Sequence, residues 1–557
     1  MRLRTLSAAA GAAAEASSHT PLALSYVRYV ARVMLHAYTW NSSRAETPAL
    51  RRAFLEQARG VQSVEAAVYR LTHPEGGQPT FEPEDLTVDE LQRLTDGAAN
   101  DSLQVSLDPR ATCPPAESAC RVQGVRWRAL LQRLFAGARN VTLELDGRDR
   151  LLLVNNARYL RALAALLARV DRTVLQNYLW WVMVETLSPH TDRAMRDLKV
   201  SYLEEVTDSH TQPARSLFCA SAVNRMMGMA VSVGVADPAF PKTTGHKVSQ
   251  MLEDVRSAFA ARVSRLDWMD ARTKAATREK VAAMTSFVGF PDWLLDSQSL
   301  EEYYQGLVVD ELGYLNTLLR INQLLISTML DSLRSPEESP GWVTDPTDVN
   351  AFHTFQANAI TVPIGILQFP FYDLGLEVLN YGAIGSILGH ELTHGFDDQG
   401  RQFDKNGNMR QWWSNATVSE YVNKTECFVR QYSRYRLEEI NAKVDGRLTL
   451  GENIADNGGL REALAAYRLL AARLPRAEPK LPGLEHHSLD QLFFLAFANV
   501  WCEAWTVSSL RYDLTNEHSP NHVRVRGVLH NMQEFADAWR CERGSRMNPD
   551  SDKCVIW

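Results

Sequence analysis

The chain has 557 residues, 45% hydrophobic and 22% charged, close to globular averages. These values exclude a disordered, collagen-like or low-complexity protein, and the length suffices for a large buried core in two or more domains. A net charge of −7, from 59 basic and 66 acidic residues, gives no basic surplus toward nucleic acid or an anionic membrane.

The N-terminus, Met1-Arg2-Leu3-Arg4 followed by alanine-rich sequence to Ala16, lacks the compact apolar run of a secretory signal and reads as a poorly ordered start over residues 1–25. No stretch of 18 or more apolar residues follows, so no transmembrane helix is expected. The first half then reads as successive helices. Leu160, Leu163, Leu166, Leu167, Leu175, Leu179 and Val182 keep helical spacing over Tyr159 to Leu187. Asp267 to Met284 is built from strong helix formers, and Leu300 to Leu333 continues the pattern. Trp180, Trp181, Met226, Met227 and Met229 read as helix core rather than a cofactor box. A Pro/Ser/Glu-rich break at Ser335 to Pro340 marks a boundary region over 313–340. Beyond it, Ala359 to Val362 reads as a strand. Gly382, Gly385 and Gly389 lack a following phosphate-binding Lys-Ser/Thr and read as sites of close helix packing. The fold class expected is mainly α with a small β part.

The strongest motif is His390-Glu391-Leu392-Thr393-His394. Positions i and i+4 of a helix share one face, about 6 Å apart along the axis, so both imidazoles reach one metal ion. Chance supplies about 0.02 such matches in a chain of this composition. Neutral imidazole suits Zn²⁺, and Glu391 lies beside the metal, where it takes a proton from water. A catalytic zinc needs a third protein ligand. Glu452 and Asp456 are again i and i+4, the first a candidate ligand and the second a candidate acceptor for a ligand ring N–H. His518 and Arg524 are candidate donors to a developing oxyanion and to a substrate carbonyl or carboxylate.

Five N-x-S/T sequons, at Asn41, Asn100, Asn140, Asn415 and Asn423, lean toward an extracellular or lumenal glycoprotein. Seven cysteines leave at least one thiol unpaired within the chain, and the spacing of Cys113 and Cys120 suits a small local disulfide.

Longer stretches carry a family resemblance: Val349-Asn350-Ala351-Phe352, Gly365 to Gln368, Leu379 to Gly382, Gly389 to Gly400, Gly451 to Gly459, Gln491 to Phe494, His518-Ser519-Pro520, Met547-Asn548-Pro549 and Cys554 to Trp557, with Leu266 to Asp270 and Gly289 to Asp292 upstream. From about Tyr26 onward the chain resembles the neprilysin and endothelin-converting-enzyme family of zinc metalloendopeptidases. The resemblance implies one Zn²⁺ on His390, His394 and Glu452, Glu391 as base, Asp456 orienting a ligand, and His518 stabilising the transition state. It assigns Asn350, Ala351 and Arg524 to substrate. It implies a thermolysin-like catalytic domain, 314–557, and a helical lid, 26–313, enclosing a cavity in which oligopeptides are cut on the amino side of hydrophobic residues. It also implies a cell-surface or extracellular location and a Cys427–Cys554 pair. Cys219, Cys502 and Cys541 match positions whose family partners lie in an N-terminal segment, so a shortened member is expected. Departures are Asn516 in place of the usual Asp, Ile364 within Val362-Pro363-Ile364-Gly365, and Phe369 after Gln368. The alternatives are a zinc aminopeptidase and an inactive surface or secreted glycoprotein of this fold that acts as a binding protein.

Overall fold

The structure is a computed structural model that describes residues 21–40, 45–72, 84–100, 107–113, 124–208, 214–311, 313–334, 341–551 and 553–557. The N-terminal alanine-rich stretch, the sequon at Asn41, Cys120 and the break at Ser335 to Pro340 lie outside the described residues. The chain is mainly helical, with short strands, and its contacts group it into two units.

The first unit comprises Met1–Pro213, Gly306–Glu337 and Thr506–Thr515. Its centre is formed by α1 (Pro21–Thr39), α2 (Pro48–Thr72), α3 (Arg172–Leu187) and α4 (Arg193–Thr207). Tyr26, Tyr29, Val30, Val33, Val61, Trp181 and Tyr202 pack together there. The polar tips inside this core are chained: Trp181 Nε1 donates to Tyr26 Oη at 2.8 Å, which donates to Glu65 Oε1 at 2.9 Å. Two strands of the same unit, β1 (Glu84–Thr87) and β2 (Leu151–Val154), pair antiparallel.

The continuous leucine spacing over Tyr159 to Leu187 is cut into two helices, Ala157–Leu167 and α3. Asp171 causes the break, because its carboxylate accepts the backbone N–H groups of Thr173 and Val174 and caps a new helix. Of the paired tryptophans only Trp181 is core; Trp180 stands largely exposed on the far side of α3.

The second unit comprises Ala214–Gln305, Glu338–Trp505 and Asn516–Trp557. The contacts therefore do not divide the chain at the single point between 313 and 314. The reason is strand pairing: β3 (Thr285–Gly289) lies parallel to β5 (Ala359–Pro363), Thr285 opposite Ala359 and Gly289 opposite Pro363. That pairing holds 285–289 and 359–363 in one unit, although the chain from Gly306 to Glu337 belongs to the other. The edge strand β4 (Phe352–Thr354) pairs antiparallel with β5, so the sheet order is β3-β5-β4. All of β5 is buried, as expected of a central strand covered on both faces.

The same unit holds α5 (Thr244–Arg265), which packs on β3, α6 (Ala271–Ala283), α7 (Ile384–His394), which packs on β4, α8 (Leu450–Arg473), which packs on α5 and α7, and α9 (Asn521–Asn531), which packs on α8. Asp270 caps α6 by accepting the N–H of Thr273 at 2.9 Å. Cys427, on the helix Asn415–Tyr432, is disulfide-bonded to Cys554. Cys219, Cys502 and Cys541 are free thiols, and Cys113 is disulfide-bonded. Asn100, Asn140, Asn415 and Asn423 are all exposed.

Candidate metal centre

Two buried helices, α7 and α8, meet almost backbone to backbone. A Cβ on Gly459 would lie 2.4 Å from the His390 backbone nitrogen, and one on Gly389 would lie 2.4 Å from the Gly459 carbonyl oxygen. Glycine at both positions is what allows this approach. Gly382 serves the same purpose against Phe493, whose carbonyl oxygen lies 2.3 Å from the place a Cβ would take. The close contact brings one face of α8, carrying Glu452 and Asp456, onto the face of α7 that carries His390 and His394.

The donor atoms then converge. His390 Nε2 and His394 Nε2 are 3.0 Å apart, and Glu452 Oε2 lies 3.2 Å and 3.4 Å from them. A tetrahedral zinc with bonds near 2.1 Å separates its donors by about 3.4 Å, so these spacings fit. Glu452 Oε2 is buried without a well-formed hydrogen bond. Two imidazole nitrogens and a carboxylate oxygen at these spacings are a donor set that suits a zinc ion. Among the described residues, this is the group of His, Cys, Asp and Glu that converges closely enough for a metal.

Each ligand ring is backed by its own carboxylate. Asp456 Oδ1 is 2.8 Å from His390 Nδ1, and Asp397 Oδ2 is 2.6 Å from His394 Nδ1. A proton held on each Nδ1 leaves each Nε2 lone pair for the metal. Asp397 escaped the sequence reading, although it stands only three residues after His394. Its Oδ1 is fixed by the backbone N–H groups of Gln399 and Gly400.

Arg524 reaches the site through Asp456. Its Nε donates to Asp456 Oδ2 at 2.8 Å and one terminal nitrogen donates to Oδ1 at 2.6 Å, a bidentate pair that is almost fully buried. Its guanidinium also stacks 3.7 Å over the Trp501 ring. Burial alone would raise the Asp456 carboxyl, but Arg524 and His390 hold it below the usual carboxylate range.

Glu391 follows the first ligand and is 6% exposed. Burial pushes its carboxyl above the ordinary glutamate value, His390 and His394 pull it down, and Glu452 adds to the rise. His518 Nε2 lies 3.0 Å from Glu452 Oε2, which brings this ring to the cluster. Asn516 does not cost His518 its support: the amide oxygen is 3.1 Å from Nδ1 and accepts the backbone N–H of His518 at 2.9 Å. Asn350, exposed, and Ala351, buried, lead into β4. The strand is tied to the metal helix by His353 Nδ1, 2.7 Å from the carbonyl oxygen of Glu391.

Two histidines one turn apart, a glutamate from a second helix and a carboxylate behind each ring define an H-E-x-x-H metal centre of the zinc peptidase class. The chain belongs to peptidase family M13, whose N-terminal part matches residues 22–291 and whose other part matches residues 350–555. It is 37% identical over 448 residues to the endothelin-converting enzyme homolog of Locusta migratoria, covering 78% of this chain and 60% of that protein. It is 37% identical over 409 residues to neprilysin-11 of Caenorhabditis elegans, covering 73% of this chain and 48% of that protein. It thus spans about half to three fifths of the length of these relatives. In fold it is similar to the zinc metalloprotease ZMP1 of Mycobacterium tuberculosis in complex with inhibitor, at 24% identity and a TM-score of 0.74, over 96% of this chain and 73% of that one.

Proposed function

We propose that the chain is a zinc-dependent endopeptidase acting on oligopeptides, cutting on the amino side of hydrophobic residues. The observation that carries this reading is the buried Glu391 carboxylate beside the convergent His390, His394 and Glu452 donors. Zinc held there, one per chain, supplies a Lewis acid and makes water more acidic.

The remaining chemistry belongs to the chain. Glu391 takes the proton of the attacking water and returns it to the leaving amine, a general-base and then general-acid role that its place beside the donor cluster allows. His518 donates a hydrogen bond to the oxygen on which charge develops. The open edge of β4 offers backbone groups to an extended peptide, with Asn350 and Ala351 at its start. Arg524 spends Nε and one terminal nitrogen on Asp456 and keeps the other for a substrate carbonyl. The Cys427–Cys554 disulfide and four exposed sequon asparagines support an oxidising, extracellular setting. In domain terms, this reading places catalysis in the second unit, which adds 214–305 to most of the 314–557 stretch.

Glu391→Gln tests it. The variant is expected to bind zinc as the wild type does and to cleave an N-blocked fluorogenic peptide at least about 10²-fold more slowly. Wild-type turnover in that variant refutes the mechanism, and failure of the wild type to cleave any N-blocked peptide refutes endopeptidase action.

A further inference from the structure

Lys280 is a lysine with no exposed surface, a rare state for this side chain. It projects from α6 and donates to three carbonyl oxygens: Gly395 at 2.6 Å, Gly400 at 2.9 Å and Phe403 at 2.7 Å. An ammonium carries three N–H donors, so every one is used. Phe396 and Trp412 flank the charge, with ring centres 5.1 Å and 5.6 Å away.

All three acceptors lie on the segment 395–403, which leaves the C-terminus of the metal helix directly. Gly395 is the residue that ends α7, so the ammonium also sits at the negative end of that helix. The same segment carries Asp397, the carboxylate against His394 Nδ1. Asp397 in turn is oriented by the N–H of Gly400, whose carbonyl Lys280 binds. The ammonium and the carboxylate thus grip the same peptide segment from two sides. Asn358 closes the arrangement, donating from Nδ2 to the Lys280 carbonyl at 3.1 Å.

We propose that Lys280 is a positioning residue for the metal centre: it acts through the segment 395–403 to hold Asp397 on His394, and so fixes the second imidazole toward the metal. This rests on the metal-site reading above. A lysine that served packing alone would lower stability without acting through Asp397.

The test is a double-mutant cycle on the full chain, read as zinc affinity by competition with a chromophoric chelator. Lys280→Met and Asp397→Asn are each expected to weaken zinc binding about 10- to 100-fold, the range for the loss of a group that orients a ligand. The double variant is expected to be no weaker than the worse single one, because both changes release the same ring. If Lys280→Met does not fold, Lys280→Gln, which keeps two donors, takes its place in the cycle. Zinc affinity unchanged in the Lys280 variant, or losses that multiply in the double variant, overturns the proposal. A wild-type chain that binds no zinc overturns the metal-site reading itself, a different and separable outcome.

Discussion

Asp456→Asn separates two duties that one carboxylate performs. The change keeps the shape and removes the charge. Arg524, 6% exposed and bonded through two nitrogens to Asp456, is left as a buried cation with half a partner. Breaking a buried pair from one side costs about 3–5 kcal/mol, and the lower end applies because the amide oxygen still accepts one bond and Trp501 still stacks. On the other side, His390 Nδ1 loses the carboxylate 2.8 Å away, which lowers zinc affinity about 10- to 100-fold. Adding Arg524→Met removes the stranded charge, and most of the lost stability should return. Zinc affinity should not, because His390 still faces an amide. Urea unfolding of the metal-free chain measures the first quantity and chelator competition the second. Zinc affinity within twofold of wild type in Asp456→Asn, or its recovery in the double variant, refutes the reasoning.

Three further outcomes follow from the same structure. Gly459→Ala forces a methyl to within 2.4 Å of the His390 nitrogen, so α7 and α8 must part; the expected result is a loss of about 1–3 kcal/mol in urea unfolding together with weakened zinc binding. In the first unit, burial and then Glu185 push the Glu65 carboxyl from 4.5 to about 8. Between those values the unfolded chain releases a proton that the folded chain keeps, so this group's stability is complete below 4.5 and falls by up to about 5 kcal/mol as pH rises to 8. Glu65→Gln should flatten that slope, and urea unfolding of both chains at pH 5, 7 and 9 with parallel pH profiles would count against it. Finally, chelation should remove about 4 kcal/mol of stability relative to zinc at 1,000 times its dissociation constant, seen as a lower melting temperature.

The convergence of His390, His394, Glu452 and Asp456 is legible in the sequence because each pair is set by one helical turn. Local spacing fixes which face each pair shares and Gly389 signals close packing, whereas the matching role of Gly459 emerges only from the structure. Asp397 is not legible in the same way. Its contact depends on the segment 395–403 folding back under α7, and the group that holds that segment is Lys280, on another helix far back in the chain. The division into units is hidden for a similar reason: β3 and β5 pair across a stretch of chain that packs elsewhere, which no local pattern reports. The leucine spacing that crosses Asp171 shows the opposite error. Periodicity continued, but one capping carboxylate was enough to end a helix.

The two carboxylates behind the ligand rings are anchored by different physics, and this makes the two halves of the site unequal. Asp456 is held by a charge: a bidentate arginine, itself buried and stacked. Asp397 is held by backbone, through the N–H groups of Gln399 and Gly400, and its segment is held by an ammonium on three carbonyls. Loss of the Asp456 charge therefore strands a cation and costs stability and metal together. Loss of Lys280 strands carbonyls near the end of a helix, frees a segment of backbone, and lets His394 turn while His390 stays in place. Zinc coordination should thus decay from the His394 side when the backbone loosens and from the His390 side when the arginine pair is broken.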